Sequence, residues 1–428
     1  MPDDPRIPLL IIAGPRASPR PDAVTLVLCD DARYPASMFE PYARRLELGP
    51  GVATADRSGE PGYTLDADSL SFIRLSLASL GPVVLSTPSD THVKTFEPLA
   101  RRLANPRWLT IFSRRAGAET ALQALGLPYQ RHGLWRHGLQ GASAVLLGID
   151  WSREEQLLIA RARRRGIPTA CLQESVIDLD DPVARRMRWA DHALIQGPRS
   201  LRYLRRSMLF LTGNPRYDRL SPSAPPARAH ALINCNFTYG LHEEAALGWV
   251  TDAVRACESE GVAYTISVHP RCRTDLSSFR NIAPSNAFKV GGQLETCSML
   301  ITRFSSLGHE ALLKGRRVIY HNPHGETTRY FLDDDTGLIA KSHDSATLAQ
   351  AVRASLGAPP EEVWRRGTMD LFTQTDGRSL DRVHHALAVI AARGGSIRTT
   401  DAQRADPLTL RASALYRTWR PRFAGAKA

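Results

Sequence analysis

Short apolar runs alternate with longer stretches of helical period along most of the chain. That alternation limits the fold more than any other feature. Val24–Cys29, Val83–Ser86, Leu109–Phe112, Ala144–Leu147, Pro168–Gln173 and His192–Gln196 are too short for helices and read as buried strands. Amphipathic segments such as Val93–Leu103 and Arg153–Arg164 lie between them. Strand–helix–strand repetition predicts parallel sheets covered by helices on both faces, an α/β fold.

The rhythm breaks once. Arg219–Arg228 holds three prolines among small residues, which neither a strand nor a helix interior accepts. It then restarts, with strands expected at His230–Cys235, Tyr264–Val268, Ser298–Thr302 and Arg317–His321 and helices up to Leu380–Ala392. A chain of 428 residues exceeds one ordinary core. The expected organisation is a Rossmann-like domain over 1–220, a linker over 221–229, a second Rossmann-like domain over 230–395, and a basic tail over 396–428. The two domains are expected to face each other across a cleft. The tail mixes Arg404, Arg411, Arg417, Arg420 and Arg422 with Tyr416, Trp419 and Phe423. Such mixing suits an anionic membrane surface, or a terminal helix packed back on the first domain.

The formal net charge of +12 favours an anionic partner without choosing one. No nucleic-acid motif accompanies it. The six cysteines have no zinc or redox spacing and are expected to be reduced thiols. No apolar run approaches the ~18–20 residues that span a bilayer, and the start lacks a basic leader. The expected place is the cytoplasm, with peripheral contact at the inner face of the membrane as an addition.

Ile301–Tyr320 reads as strand, tight turn, helix, strand, with Ser305 and Ser306 in the turn. A helix N-terminus carries free N–H groups and about half a positive charge, and so attracts phosphate. A capping role explains one serine. It leaves Glu310 over, because a capping box puts its acid three residues after the cap, and that position is His309. Glu310 either faces a bound ribose or is a surface acid near the helix dipole. Upstream, Tyr264–Val268 runs into His269-Pro270-Arg271. The proline ends the ladder, leaving an imidazole and a guanidinium at a strand's carboxyl end, where both can meet phosphate.

Val268–Arg271 (VHPR) together with 305–320 (SSLGHEALLKGRRVIY) resembles the C-terminal donor domain of GT-B glycosyltransferases. The likeness is closest to the CDP-glycerol glycerophosphotransferases and to capsular polysaccharide transferases using CMP-activated donors. Gly166–Gln173, Ala190–Gly197 and Thr212–Asp218 resemble further segments of that family. The resemblance implies that His269 and Arg271 contact the donor's phosphates or pyrimidine, that Ser305 and Ser306 cradle the phosphates, and that Glu310 bonds the ribose. It implies a nucleotide-activated sugar or glycerol as substrate, a polysaccharide or lipid-linked acceptor, no separate cofactor and no metal. Two positions depart from the pattern. Arg303 stands where the family has an acid, and is expected to meet phosphate. Glu174 follows Gln173 where the family often has a catalytic histidine, so Glu174 is the candidate base, with Asp30 and Asp31 as rivals.

Three readings follow: a glycosyl- or glycerophosphotransferase, an enzyme like the UDP-sugar 2-epimerases, and a scaffold or glycan-binding protein without catalysis.

Overall fold

The computed structural model describes residues 9–13, 24–29, 46–48, 52–54, 63–65, 77–110, 115–131, 138–174, 187–197, 199–200, 208–237, 242–270, 272–285, 289–327, 329–332, 334–372 and 377–393. They form two compact units. Described residues of 1–174, 181–218 and 370–428 make the first, and those of 219–369 the second.

The first unit contains β1 (Leu9–Ala13), β2 (Val24–Cys29) and β3 (Leu46–Leu48), with a separate antiparallel ribbon of β4 (Val52–Thr54) and β5 (Tyr63–Leu65). Then come β6 (Val83–Thr87), β7 (Pro106–Thr110), β8 (Tyr129–Arg131), β9 (Ala144–Leu147), β10 (Thr169–Leu172), β11 (His192–Ile195) and β12 (Met208–Leu211). The ten-stranded sheet runs β3-β2-β1-β12-β11-β10-β9-β6-β7-β8. From β12 to β8 every pair is parallel, and β1 joins β12 antiparallel. All residues of β6, β9, β10 and β11 are buried, as a parallel sheet covered on both faces requires. Chain order reverses between β6 and β9, which is therefore the unit's topological switch point.

The second unit is a six-stranded, all-parallel sheet in the order β15-β14-β13-β16-β17-β18. Its strands are β13 (His230–Cys235), β14 (Ala263–Val268), β15 (Ile282–Pro284), β16 (Met299–Thr302), β17 (Arg317–His321) and β18 (Ile339–Ser342). Counted from β13 this is the Rossmann order 3-2-1-4-5-6, with its switch point between β13 and β16. The α/β class and the two Rossmann-like sheets match the sequence reading.

Two boundaries differ from it. Helix Ser379–Arg393, expected to end the second domain, packs in the first unit. Val383, Leu387 and Ile390 join Val83, Phe96 and Leu146 in one core. The Asp218 carboxylate seats this helix by accepting from the N–H groups of Ser379 (2.9 Å) and Leu380 (2.6 Å). Burial still pushes the Asp218 carboxyl upward, because two amides do not replace its lost water. The apolar face of the helix was legible, but periodicity does not say which sheet will cover it. The proline-rich segment is also no free linker. The buried Arg316 donates to the Ser223 carbonyl (2.7 Å) and hydroxyl (2.8 Å), pinning the segment to the second unit. The tail over 396–428 lies outside the described residues.

Buried imidazoles make stability depend on pH. His321, fully buried with Nδ1 2.9 Å from the Ser342 hydroxyl, is pushed by desolvation down to about 4. In the first unit, burial pushes His385 down to about 3. The unfolded chain takes up these protons near the ordinary histidine value of about 6.5, and the folded chain does not. The stabilisation is thus complete above about 6.5 and is lost as pH falls towards the folded values. His321 alone predicts a loss of about 2 kcal/mol between pH 7 and 5. Urea melts at the two pH values check this, and His321→Gln should remove most of the difference in the second unit.

Candidate functional site

In open α/β sheets ligands bind beyond the carboxyl ends of the strands, at the switch point. In the second unit, register pairs Cys235 with Val268 and Asn234 with Thr302. Continued by one or two residues, it brings Asn236, His269 and Phe304 to one level. His269 N–H donates to the Cys235 carbonyl (3.2 Å), fixing the start of its loop beside β13. His269, Ser305 and Ser306 are all half-buried, so solvent reaches each of them. The structure therefore places the sequence-predicted imidazole and serine pair on loops at the carboxyl ends of β14 and β16, the two strands that flank β13.

The two serines differ. The Ser305 hydroxyl accepts from Leu307 N–H (3.2 Å) and so satisfies one free amide of helix Leu307–Leu313. Ser306 occupies the N-cap position but with helical backbone angles (φ −61°, ψ −16°), and its hydroxyl makes no capping bond. Capping thus accounts for Ser305, and for Ser306 it does not. Glu310 lies in the first helical turn and is 3 % exposed.

Arg303 requires a correction. It does not offer its charge to a ligand, because it is fully buried. Its Nε donates to Glu326 Oε1 (2.6 Å), Nη2 donates to the same oxygen, and Nη1 donates to the Asn236 carbonyl (3.2 Å). The guanidinium also lies over the rings of Phe237 (4.1 Å) and Phe304 (5.0 Å). Arg303 therefore joins the ends of β13 and β16 beneath the serine turn. Its partner, Glu326, was not marked by any motif.

Asn236, too, was missed. It donates to the Phe304 carbonyl (3.4 Å) and helps set the same turn. Beyond it, His242 and His324 stack with ring centroids 5.3 Å apart, and His324 meets Phe237 edge-on at 5.9 Å. Burial pushes His324 below the usual histidine value. No sequence spacing announced this pair, because its two rings come from loops after different strands.

Glu174 follows β10 in the first unit. Its carboxylate lies 3.1 Å from His92 Nε2, with the imidazole 5 % and the carboxylate 27 % exposed. His92 belongs to helix Asp90–Ala100, and its Nδ1 is 2.8 Å from the Ser89 hydroxyl. Gly148, just after β9, runs under the ring: a Cβ there would fall 1.9 Å from His92 Cδ2. Neighbouring Gln173 is structural, its side-chain oxygen accepting from Gln196 N–H (2.9 Å) and the Ser200 hydroxyl (2.8 Å). Asp30, Asp31 and Arg271 lie outside the described residues. Among the described residues, no helix is long and apolar enough to cross a membrane.

No protein-family model and no curated protein matches this sequence. Solved structures do. A UDP-GlcNAc 2-epimerase from Neisseria meningitidis, bound to UDP-GlcNAc, aligns over 72% of this chain and 99% of its own at 11% identity (TM-score 0.49). The glycosyltransferase of kitacinnamycin aligns over 73% and 97% at 14% identity (TM-score 0.48). The wall teichoic acid polymerase TagF, soaked with CDPG, aligns over 76% and 93% at 13% identity (TM-score 0.47). None is close enough in trace or sequence to transfer the role of a residue.

Proposed function

We propose that this chain is a GT-B-type transferase that moves a sugar or glycerol phosphate from a nucleotide-activated donor to a hydroxyl of a polysaccharide or lipid-linked acceptor. One observation carries the reading. Accessible His269, Ser305 and Ser306 stand on the loops leaving β14 and β16, the strands on either side of β13 in a Rossmann-order sheet whose switch point lies between β13 and β16. Phosphate fits this group. The Ser306 hydroxyl makes no capping bond, and the imidazole can donate. As the donor bond breaks, negative charge grows on the leaving phosphate, and fixed donors stabilise it. Arg271 adds a guanidinium through the sequence motif. Arg303 supports the turn from beneath and does not contact the donor. Glu310 is retained as the acid that bonds the donor's ribose, and Glu174 as the base that takes the acceptor's proton. A cytidine nucleotide is favoured because the VHPR and serine motifs resemble families with CMP- or CDP-linked donors.

A thermal-shift series with CMP, CDP, UDP and GDP tests the reading. A ligand bound only by the folded chain raises Tm by mass action. A cytidine nucleotide should raise Tm, and Ser306→Ala or His269→Ala should weaken its binding about 10-fold or more, as expected for a charge-assisted hydrogen bond. No response to any nucleotide would overturn the assignment. Product analysis then separates the chemistries: a transferase releases the nucleotide, whereas an epimerase returns a UDP-sugar inverted at C2.

A further inference from the structure

The first unit carries a constellation that the donor site does not use. His92, Glu174 and Gly148 come from three separate elements and meet beyond the carboxyl ends of β6, β9 and β10, at this unit's own switch point. We propose that they form an acid–base site in which Glu174 is the catalytic base for a substrate hydroxyl and His92 is the residue that positions it. This rests on the transferase reading above and adds the machinery that takes up the acceptor's proton.

Local packing alone does not account for the arrangement. Ser89 sits at the N-cap of helix Asp90–Ala100 with extended backbone angles, where serine ordinarily accepts from an amide of the first turn. It makes no such bond, and its hydroxyl contacts His92 Nδ1 instead. The helix thus forgoes its side-chain cap. Gly148 points the same way. It is not among the residues of positive φ, so its backbone does not require glycine. What requires glycine is the ring 1.9 Å from where a Cβ would stand. The imidazole is therefore held from two sides, with Nε2 directed to the Glu174 carboxylate.

Exposure divides the labour. The imidazole is almost sealed at 5 %, whereas the carboxylate keeps 27 % and can be reached by a substrate. When Ser89 donates to Nδ1, the ring proton stands on Nε2 and faces Glu174. Once the contact tightens, that proton orients the carboxylate, whose 27 % exposure lets a substrate reach it. In the reaction the acceptor O–H proton passes to Glu174. The acceptor oxygen forms its new bond to the donor's carbon or phosphorus. The electron pair of the broken bond leaves on the donor's phosphate. The 3.1 Å contact is not an aligned hydrogen bond in the unliganded chain, and such contacts commonly tighten once substrate is bound.

The test uses the full chain, with nucleotide release from CDP-glycerol and from a CMP-sugar, glycerol being supplied as acceptor. Glu174→Gln should lower kcat about 100-fold or more, the range of general-base catalysis, with the nucleotide-induced rise in Tm unchanged. His92→Ala should lower kcat about 10-fold or more, again without affecting nucleotide binding. Added imidazole should restore part of the loss, which a purely structural role does not predict. Gly148→Ala should reproduce the His92→Ala loss and add nothing to it in the double variant. Nitrogen-15 NMR of histidine-labelled protein reads the pair without any turnover: Glu174→Gln should shift the His92 ring nitrogens. Unmoved nitrogens overturn the pair, and an unchanged kcat in folded His92→Ala overturns its role. Failure of nucleotides to raise Tm counts against the second unit's donor site alone, since the NMR shift is read without a donor.

Discussion

Replacing Arg303 with alanine should destabilise the second unit by about 3–5 kcal/mol, the usual cost of leaving the partner of a buried ion pair unpaired. The Arg303 side chain is fully buried, and Glu326 is only 5 % exposed at its side chain. Removing the guanidinium leaves a carboxylate that water hardly reaches, with Tyr320 Oη at 3.4 Å as a weak remaining donor. It also removes the donor to the Asn236 carbonyl and the cation lying over Phe237 and Phe304. Arg303→Lys should recover part of the loss, since an ammonium keeps the charge but lacks the planar fork. The double replacement Arg303→Met with Glu326→Leu should lie close to wild type in stability, because two apolar side chains have no desolvation penalty to offset. Denaturant melts, with hydrogen exchange to localise the change, give the ranking. A loss below about 1 kcal/mol in Arg303→Ala would mean that Glu326 finds other compensation. The same variants separate support from contact. If Arg303 only holds the Phe304–Ser306 turn, the double replacement keeps nucleotide binding while stability returns.

How much of this was legible beforehand depended on whether one segment carried the information. Buried central strands such as Ala144–Leu147 and Met299–Thr302 announced themselves as continuous apolar runs, because both faces of a parallel sheet are covered. β8, β15 and β18 did not. They are sheet edges, and Gln130, Ile282 and Lys341 sit in or next to solvent there, so no apolar run marks them. β12 is interior and apolar, but it is only four residues long and runs straight into the Thr212–Asp218 segment, so periodicity does not set it off. The serine turn and His269 were readable because each is local, a strand end followed by a turn. Arg303 was misread for the opposite reason. Its ligand-like position in the motif was visible, but its partner Glu326 lies on another loop, and a cation's burial cannot be told from its neighbours in sequence. His92 was invisible as a site residue on the same grounds: only folding brings it to Glu174 and over Gly148. Asp218, which fitted a family segment, turned out to seat helix Ser379–Arg393, a contact across more than a third of the chain.

Asp150→Ala should be the most damaging single change in the first unit, at about 3 kcal/mol or more. The side chain is fully buried just beyond β9. Oδ1 accepts from Met187 N–H (2.7 Å), and Oδ2 accepts from Trp189 N–H (2.7 Å) and Ala190 N–H (3.1 Å). Alanine leaves three buried amides without this acceptor, and bonds to a charged group are each worth about 1.5–3 kcal/mol. Backbone strain adds to the loss. Met187 is held at φ 56°, a left-handed conformation that a side chain of its size adopts only when the surroundings enforce it. The carboxylate bonded to its amide is part of that enforcement. Asp150→Asn keeps one accepting oxygen and should lose less, about half as much, because the amide's NH2 cannot accept from the N–H groups on its side. The consequence reaches β11, since residues 187–190 lead directly into His192–Ile195 at the centre of the ten-stranded sheet. Hydrogen exchange should therefore show the amides of β11 losing protection together with those of Met187, Trp189 and Ala190. Loss confined to those three amides would instead show that the carboxylate orders only its own loop.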